Sequence, residues 1–150
     1  MNQAQQSEVP LERRVALPTT TELDRFDPRR YVGTTFMTVS GSVYQIWQHG
    51  KNCIISGRNG AAGEHIAAEG AEIRYLAGIH QAPVEVARVL RDINSSGPVS
   101  YIDSVHDLER QLRPHRELVK EGLHLMVSCE KERIPYLIIT SPIAQKIPER

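Results

Sequence analysis

The chain has few aromatic side chains, 5 % of its residues, with a single tryptophan and two phenylalanines. That leaves few rings for stacking on bases. With 18 basic residues against 18 acidic ones there is also no net positive field to draw nucleic acid or anionic lipid to the surface, so both composition and charge argue against a nucleic-acid partner. Cysteine is scarce. Cys53 and Cys129 each fall in an apolar, strand-like run, the setting of reduced core thiols rather than of a disulfide framework. The six histidines stand at least nine residues apart, unlike the close pairs from which zinc sites are built, so neither a metal nor another cofactor is expected. Long apolar runs are missing as well: none approaches the roughly 20 residues of a membrane-spanning helix, and the first 30 residues hold no signal-like apolar core. The expectation is a soluble, cytoplasmic or otherwise unexported protein with no membrane contact.

Strand-forming sequence is what the chain does have. In Thr34–Trp47 two runs rich in Thr, Val, Ile, Tyr and Phe are separated only by Ser40-Gly41-Ser42, a short glycine-containing loop that closes neighbouring antiparallel strands. Cys53–Ser56 follows across the turn-like residues 48–52, giving a three-stranded meander. Glu72–Leu76 is a further short strand. A helix is predicted from Pro83, with Val86, Val89, Leu90 and Ile93 on one face, ending at residues 94–98. Val99–Ile102 reads as a strand. A second helix is predicted after an N-cap at Ser104, carrying Val105, Leu108 and Leu112 until Pro114 breaks it, with His115–Glu121 as a further turn or two ended by Gly122. Leu123–Cys129 and Tyr136–Thr140 form a C-terminal hairpin around residues 130–133, and a short tail follows. The predicted fold is α+β: a mainly antiparallel sheet of about five to seven strands, meander plus C-terminal hairpin, with two helices packed on one face.

Residues 1–30 mix Gln, Thr, Pro and charges of both signs with apolar residues that keep no period, and read as an extended or disordered arm ahead of a single domain over 31–150. Within that arm Leu11, Leu17, Leu23 and Phe26 are isolated apolar anchors, candidates for partner binding.

No catalytic motif matches these strand signals in strength. The segment 57–70, with Gly57, Gly60, Gly63 and Gly70, follows a strand as phosphate-binding loops do, but lacks both the Gly-Lys-Ser/Thr ending and the Gly-x-Gly-x-x-Gly pattern. It is predicted to be a mobile loop, with Arg58 and His65 as its partner-binding candidates and Glu64, His65 and Glu69 its one carboxylate–imidazole grouping. A Gly-x-Ser-x-Gly elbow is absent, and neither cysteine has a polar, electropositive setting. Residues Arg30–Thr35 and Glu130-Lys131-Glu132 bear a partial likeness to ADP-ribosyltransferase domains. However, Val32 stands where that motif wants its arginine and no Ser-Thr-Ser follows, so the pattern is not met. Arg110, Arg113, Arg116 and Lys120 form the best basic stripe, with Glu109, Glu117 and Glu121 interleaved at ion-pair spacing.

The sequence therefore points to a small non-enzymatic interaction or assembly protein that uses its N-terminal arm and glycine-rich loop to contact a protein partner or further copies of itself. The alternative is a small transferase or hydrolase with a site near that loop and the Glu130/Glu132 hairpin.

Overall fold

The computed structural model describes residues 25–59, 63, 65–81, 84, 86–88, 91 and 102–148. Seven strands make up nearly half of this: β1 Thr35–Thr38, β2 Val43–His49, β3 Asn52–Arg58, β4 Glu72–Ile79, β5 Arg116–Glu117, β6 His124–Lys131 and β7 Ile134–Ile147. Each pairing is antiparallel, in the order β3-β2-β1-β7-β6-β4-β5, and β3 also pairs with β4. The sheet thus closes on itself as a six-stranded barrel, with β5 a short addition alongside β4.

The seam between β3 and β4 uses the glycine-rich segment. Ile54 lies opposite Glu72, the Ile55 N–H donates to the Ala71 carbonyl at 3.1 Å, Gly70 N–H donates to the Ile55 carbonyl at 2.7 Å, and Ile66 N–H donates to the Gly57 carbonyl at 3.0 Å. Arg58 bridges His65. The described part of this segment is therefore held along β3 as barrel wall, which corrects the expectation of a mobile loop at residues 65–70. Gly57 is required there for space, since a Cβ would sit 2.7 Å from Cδ1 of Tyr44.

Strand alternation sorts the side chains. Phe36, Tyr44, Ile46, Cys53, Ile55, Leu125 and Val127 point inward and share one buried cluster. A second cluster lies outside the barrel wall, where Val105 and Leu112 of helix α1 (Ile102–Leu112), together with Val86, meet Ile79, Met126 and Leu137. Val105, Leu108 and Leu112 recur at helical spacing, so one stripe of α1 covers the sheet. Strand β6 is consequently buried on both sides from His124 to Cys129.

Meander, C-terminal hairpin and the Leu112-bearing helix stand where the pattern of the sequence puts them. Elsewhere the structure differs. β7 runs on through Pro142 to Ile147 and pairs with β1, so the expected tail is largely strand. A missing N–H is tolerated at Pro142 because it faces His124 where the β6–β7 register shifts. Ile102 begins α1 instead of ending a strand, which places Ser104 inside the helix rather than at its cap. Of the expected turns after Pro114, the structure has a 3-10 turn at Arg113–His115 and then β5. The hairpin turn is only Glu132-Arg133, both at positive φ (52° and 69°), while Glu130 belongs to β6. Of the helix predicted from Pro83, Val84, Val86, Ala87, Arg88 and Arg91 are helical, whereas Val89, Leu90 and Ile93 lie outside the described residues.

Candidate interaction surface

Three neighbouring strands leave one wall of the barrel outside both clusters. Thr35 and Met37 of β1, Val43, Gln45 and Trp47 of β2, and Ile54 and Ser56 of β3 alternate with the buried positions and point outward. Register brings them into rows. Met37 faces Val43, which faces Arg58; Thr35 faces Gln45, which faces Ser56; and Trp47 faces Ile54. On the far side of β1, Ile147 lies opposite Thr35 and Gln145 opposite Met37. Trp47 is 44 % exposed and Ile147 42 %, while Met37, Val43 and Ile54 are half-buried and belong to neither cluster.

The wall's polar atoms are largely satisfied within it. The Trp47 Nε1–H donates to Ser56 Oγ at 2.8 Å, laying the indole across β3, and the Gln45 side-chain amide donates to Thr35 Oγ1 at 3.1 Å. Among the outward positions of β1, β2 and β3 in these rows Arg58 is the one charged residue, and across the seam Glu72 of β4 continues the Trp47–Ile54 row. A β-rich face with a tryptophan, a methionine and almost no charge has the composition of an interface core, from which charged residues are depleted.

Arg58 and His65 meet at the margin of this wall. Arg58 Nη2 lies 3.5 Å from His65 Nε2, His65 Nδ1 lies 3.2 Å from Glu69 Oε1, and that same oxygen accepts the Gly57 N–H at 3.0 Å. The chain of contacts needs the Nδ1–H tautomer of His65, donating to the carboxylate and accepting from the guanidinium. It fixes the glycine-rich segment to the end of β3 and sets a polar rim beside Val43.

The other sequence-derived candidates lie elsewhere. Leu11, Leu17 and Leu23 fall outside the described residues. Phe26 is only 4 % exposed: its ring packs 6.5 Å from Tyr75 and lies under the guanidinium of Arg116 at 4.4 Å, with Arg25 at 5.1 Å. It is an intramolecular anchor, which corrects its reading as a partner contact and brings the folded body forward to Arg25. Tyr75 carries this anchor into α1 by donating its hydroxyl to Glu109 Oε2 at 2.5 Å, and Glu109 is clasped by Arg113 at 2.5 and 2.9 Å. Burial pushes the Tyr75 hydroxyl pKa up, and the Glu109 contact pushes it further. For Glu109 burial acts upward, but hydrogen bonds from Arg113 and Tyr75 and the charges of Arg113 and Arg116 outweigh it and hold the carboxyl below its usual range.

These contacts also dissolve the basic stripe. Arg110 pairs with Asp107, Arg113 with Glu109, and Arg116 stacks on two rings. Glu130 pairs with Arg74, and Glu132 sits at the hairpin tip. Glu130 faces Glu72, which faces Ile54, four residues along β3 from Arg58, or roughly 13 Å at strand rise. The hairpin acids and the His65 rim are thus separate places on the barrel. The ring nitrogens of buried His124 lie 2.7 Å from the Thr140 carbonyl and 2.8 Å from the Gln81 side chain, tying β6 to β7 and to the end of β4. Among the described residues no group of His, Cys, Asp and Glu is disposed to hold a metal ion, and no helix is long and apolar enough to cross a membrane.

Met37, Val43, Trp47 and Ile54 were not singled out by the sequence as a site. Their signal is the period of two: apart from Arg58, the outward-facing set on each strand is apolar or neutral where a solvated sheet face is ordinarily polar. Comparison with family models, curated proteins and solved structures finds no match to the chain.

Proposed function

We propose that the protein is a small non-enzymatic interaction or assembly protein. Its partner-facing elements are the outer wall of β1, β2 and β3, the Arg58–His65 rim, and the N-terminal arm with Leu11, Leu17 and Leu23. Both helices pack on one face in this reading and leave the Trp47 wall for association. The single observation that carries it is the near absence of charge from the outward positions of β1, β2 and β3 around Trp47, where Arg58 alone is charged. The partner is a protein, and a second copy of the chain suits it: with 18 positive and 18 negative groups, copies do not repel one another as strongly charged proteins do. A soluble, unexported cytoplasmic setting accords with the two free, buried thiols.

The alternative, a small transferase or hydrolase at the loop, has the Glu69–His65 pair in its favour. Against it, the second ring nitrogen of His65 faces a guanidinium rather than a hydroxyl or thiol, and Glu130 and Glu132 stand away from it.

Methyl NMR spectra of the full chain at about 20 μM and about 500 μM test the assembly reading, because a dissociation constant on the order of 100 μM, about −5.5 kcal/mol, shifts the population from one copy toward two between them. Met37, Val43, Ile54 and Ile147 are expected to shift with concentration while Ile46 and Ile55 inside the barrel do not. Spectra identical at both concentrations, or shifts confined to the α1 side, overturn it.

A further inference from the structure

At the centre of the wall the outward positions of β2 and β3 fall into three rows: Trp47 with Ile54, Gln45 with Ser56, and Val43 with Arg58. The outer rows are unlike each other. One presents an indole and an isoleucine, the other a valine and a cation, and the neutral Gln45–Ser56 row lies midway between them. The Trp47 Nε1–H is already given to Ser56 Oγ at 2.8 Å, so what the exposed indole offers a neighbour is its electron-rich face. Arg58 is exposed, and its Nη2 lies 3.5 Å from His65 Nε2, a contact at one corner of a guanidinium whose flat faces are what stack on aromatic rings.

Within one chain the two outer rows do not meet. Val43 and Trp47 are four residues apart on β2, roughly 13 Å, and Ile54 and Arg58 are equally far apart on β3. A second copy brings them together. When two walls pack face to face about a two-fold axis that crosses β2 and β3 over the Gln45–Ser56 row, each residue meets the one equally far beyond the axis on the same strand. Trp47 then meets the partner's Val43, and Ile54 meets the partner's Arg58. Because the Trp47 indole lies across β3, that guanidinium comes down on the indole as well, and every contact is made twice. Glu72, which continues the Trp47–Ile54 row across the seam, adds an opposite charge on the same side. Moving the axis by one row loses this match. Over the Val43–Arg58 row it sets Arg58 against the partner's Arg58, and over the Trp47–Ile54 row it carries Arg58 to the β2–β3 turn and the partner's Lys51.

We infer that the wall is a two-fold contact between two copies of this chain, in which each Trp47 packs on Val43 and Arg58 of the partner subunit. The inference rests on the assembly reading, and it fixes both the partner and the register of that assembly. A patch of three strands by seven residues covers roughly 15 by 20 Å, small beside a standard interface, which suits weak association with a dissociation constant on the order of 100 μM.

Isotope-filtered NOE spectroscopy on an equimolar mixture of 13C-labelled and unlabelled full chain, at about 1 mM, is the direct test. Indole protons of the unlabelled copy are expected to show NOEs to the Val43 methyls of the labelled copy, a contact that a separation of roughly 13 Å forbids within one chain. In a dilution series Arg58→Glu should raise the dissociation constant about tenfold, since two cation–π contacts are lost together, whereas Arg58→Lys, which keeps the cation, stays within about threefold of the wild type. If Ile54→Glu abolishes association but the NOEs join Trp47 to the partner's Trp47, or Arg58→Glu associates as the wild type does, the assembly reading stands and this register is overturned. A wild type that remains one copy at about 1 mM overturns both and leaves the wall to a different protein.

Discussion

Phe26→Ala is expected to cost the folded protein about 3 to 4 kcal/mol. The ring is all but buried, and its removal takes roughly 120 Å² of apolar surface out of contact, about 3 kcal/mol at 25 cal/mol per Å². The guanidinium of Arg116 lies 4.4 Å from the Phe26 centroid and 4.9 Å from that of Tyr75, so the ring also loses a cation–π contact of about 0.5 to 1 kcal/mol near the surface. Partial collapse of the arm root offsets some of the cavity term, which keeps the total at the low end of the roughly 3 to 5 kcal/mol measured for buried phenylalanines. For a domain of this size the change lowers the melting temperature by roughly 10 °C. Urea unfolding followed by circular dichroism provides the measurement, read at unchanged slope so that the denatured state is comparable. A loss below about 1 kcal/mol would refute the reasoning and return Phe26 to the partner-binding role its surroundings in sequence suggest.

Three further outcomes follow from the same contacts. Because Glu109 is held below its usual range, its contribution is present above the unfolded pKa near 4.3 and is lost as pH falls through the lower folded value. Glu109→Gln should therefore flatten the decline in stability between about pH 5 and pH 3, leaving the residual slope from Asp27, which Arg29 likewise lowers; an unchanged slope contradicts the assignment. Replacing the positive-φ turn by Glu132→Asn with Arg133→Gly should raise stability by about 1 kcal/mol, since Asn-Gly adopts that two-residue turn with less strain, and a loss in thermal unfolding would contradict the turn geometry. Both thiols should resist alkylation in the native state at pH 8, because burial raises Cys53 and pushes Cys129 up to about 12; modification of Cys129 as fast as in the denatured chain would place it at the surface.

Local chemistry is what made parts of this fold legible in sequence. Gly41 at φ 90° closes β1 onto β2 as the Ser-Gly-Ser turn implies, and Val105, Leu108 and Leu112 mark the buried stripe of α1 by their spacing alone. Closure of the barrel was not legible, because the seam between β3 and β4 runs through backbone bonds of a glycine- and alanine-rich segment whose side chains carry no strand signal. Phe26 misled for a similar reason: a single aromatic among polar residues has no period, and its partners Tyr75 and Arg116 are remote in sequence. At the candidate surface, Arg58 and His65 stood out by chemical type, and the structure brings them together. The wall they border was hidden because Met37, Val43 and Ile54 read equally well as core residues until the inward-facing half of each strand is known.

Sedimentation equilibrium of the full chain, wild type beside Ile54→Glu, tests the central claim that the Trp47 wall is an assembly surface. The account predicts that the wild-type mass rises from the 16.9 kDa of one copy toward twice that value between about 1 and 100 μM, while the variant, folded by circular dichroism, stays at one copy because a carboxylate buried in an apolar contact is costly. A wild type that keeps the mass of one copy throughout, or a variant that associates as the wild type does, would contradict it.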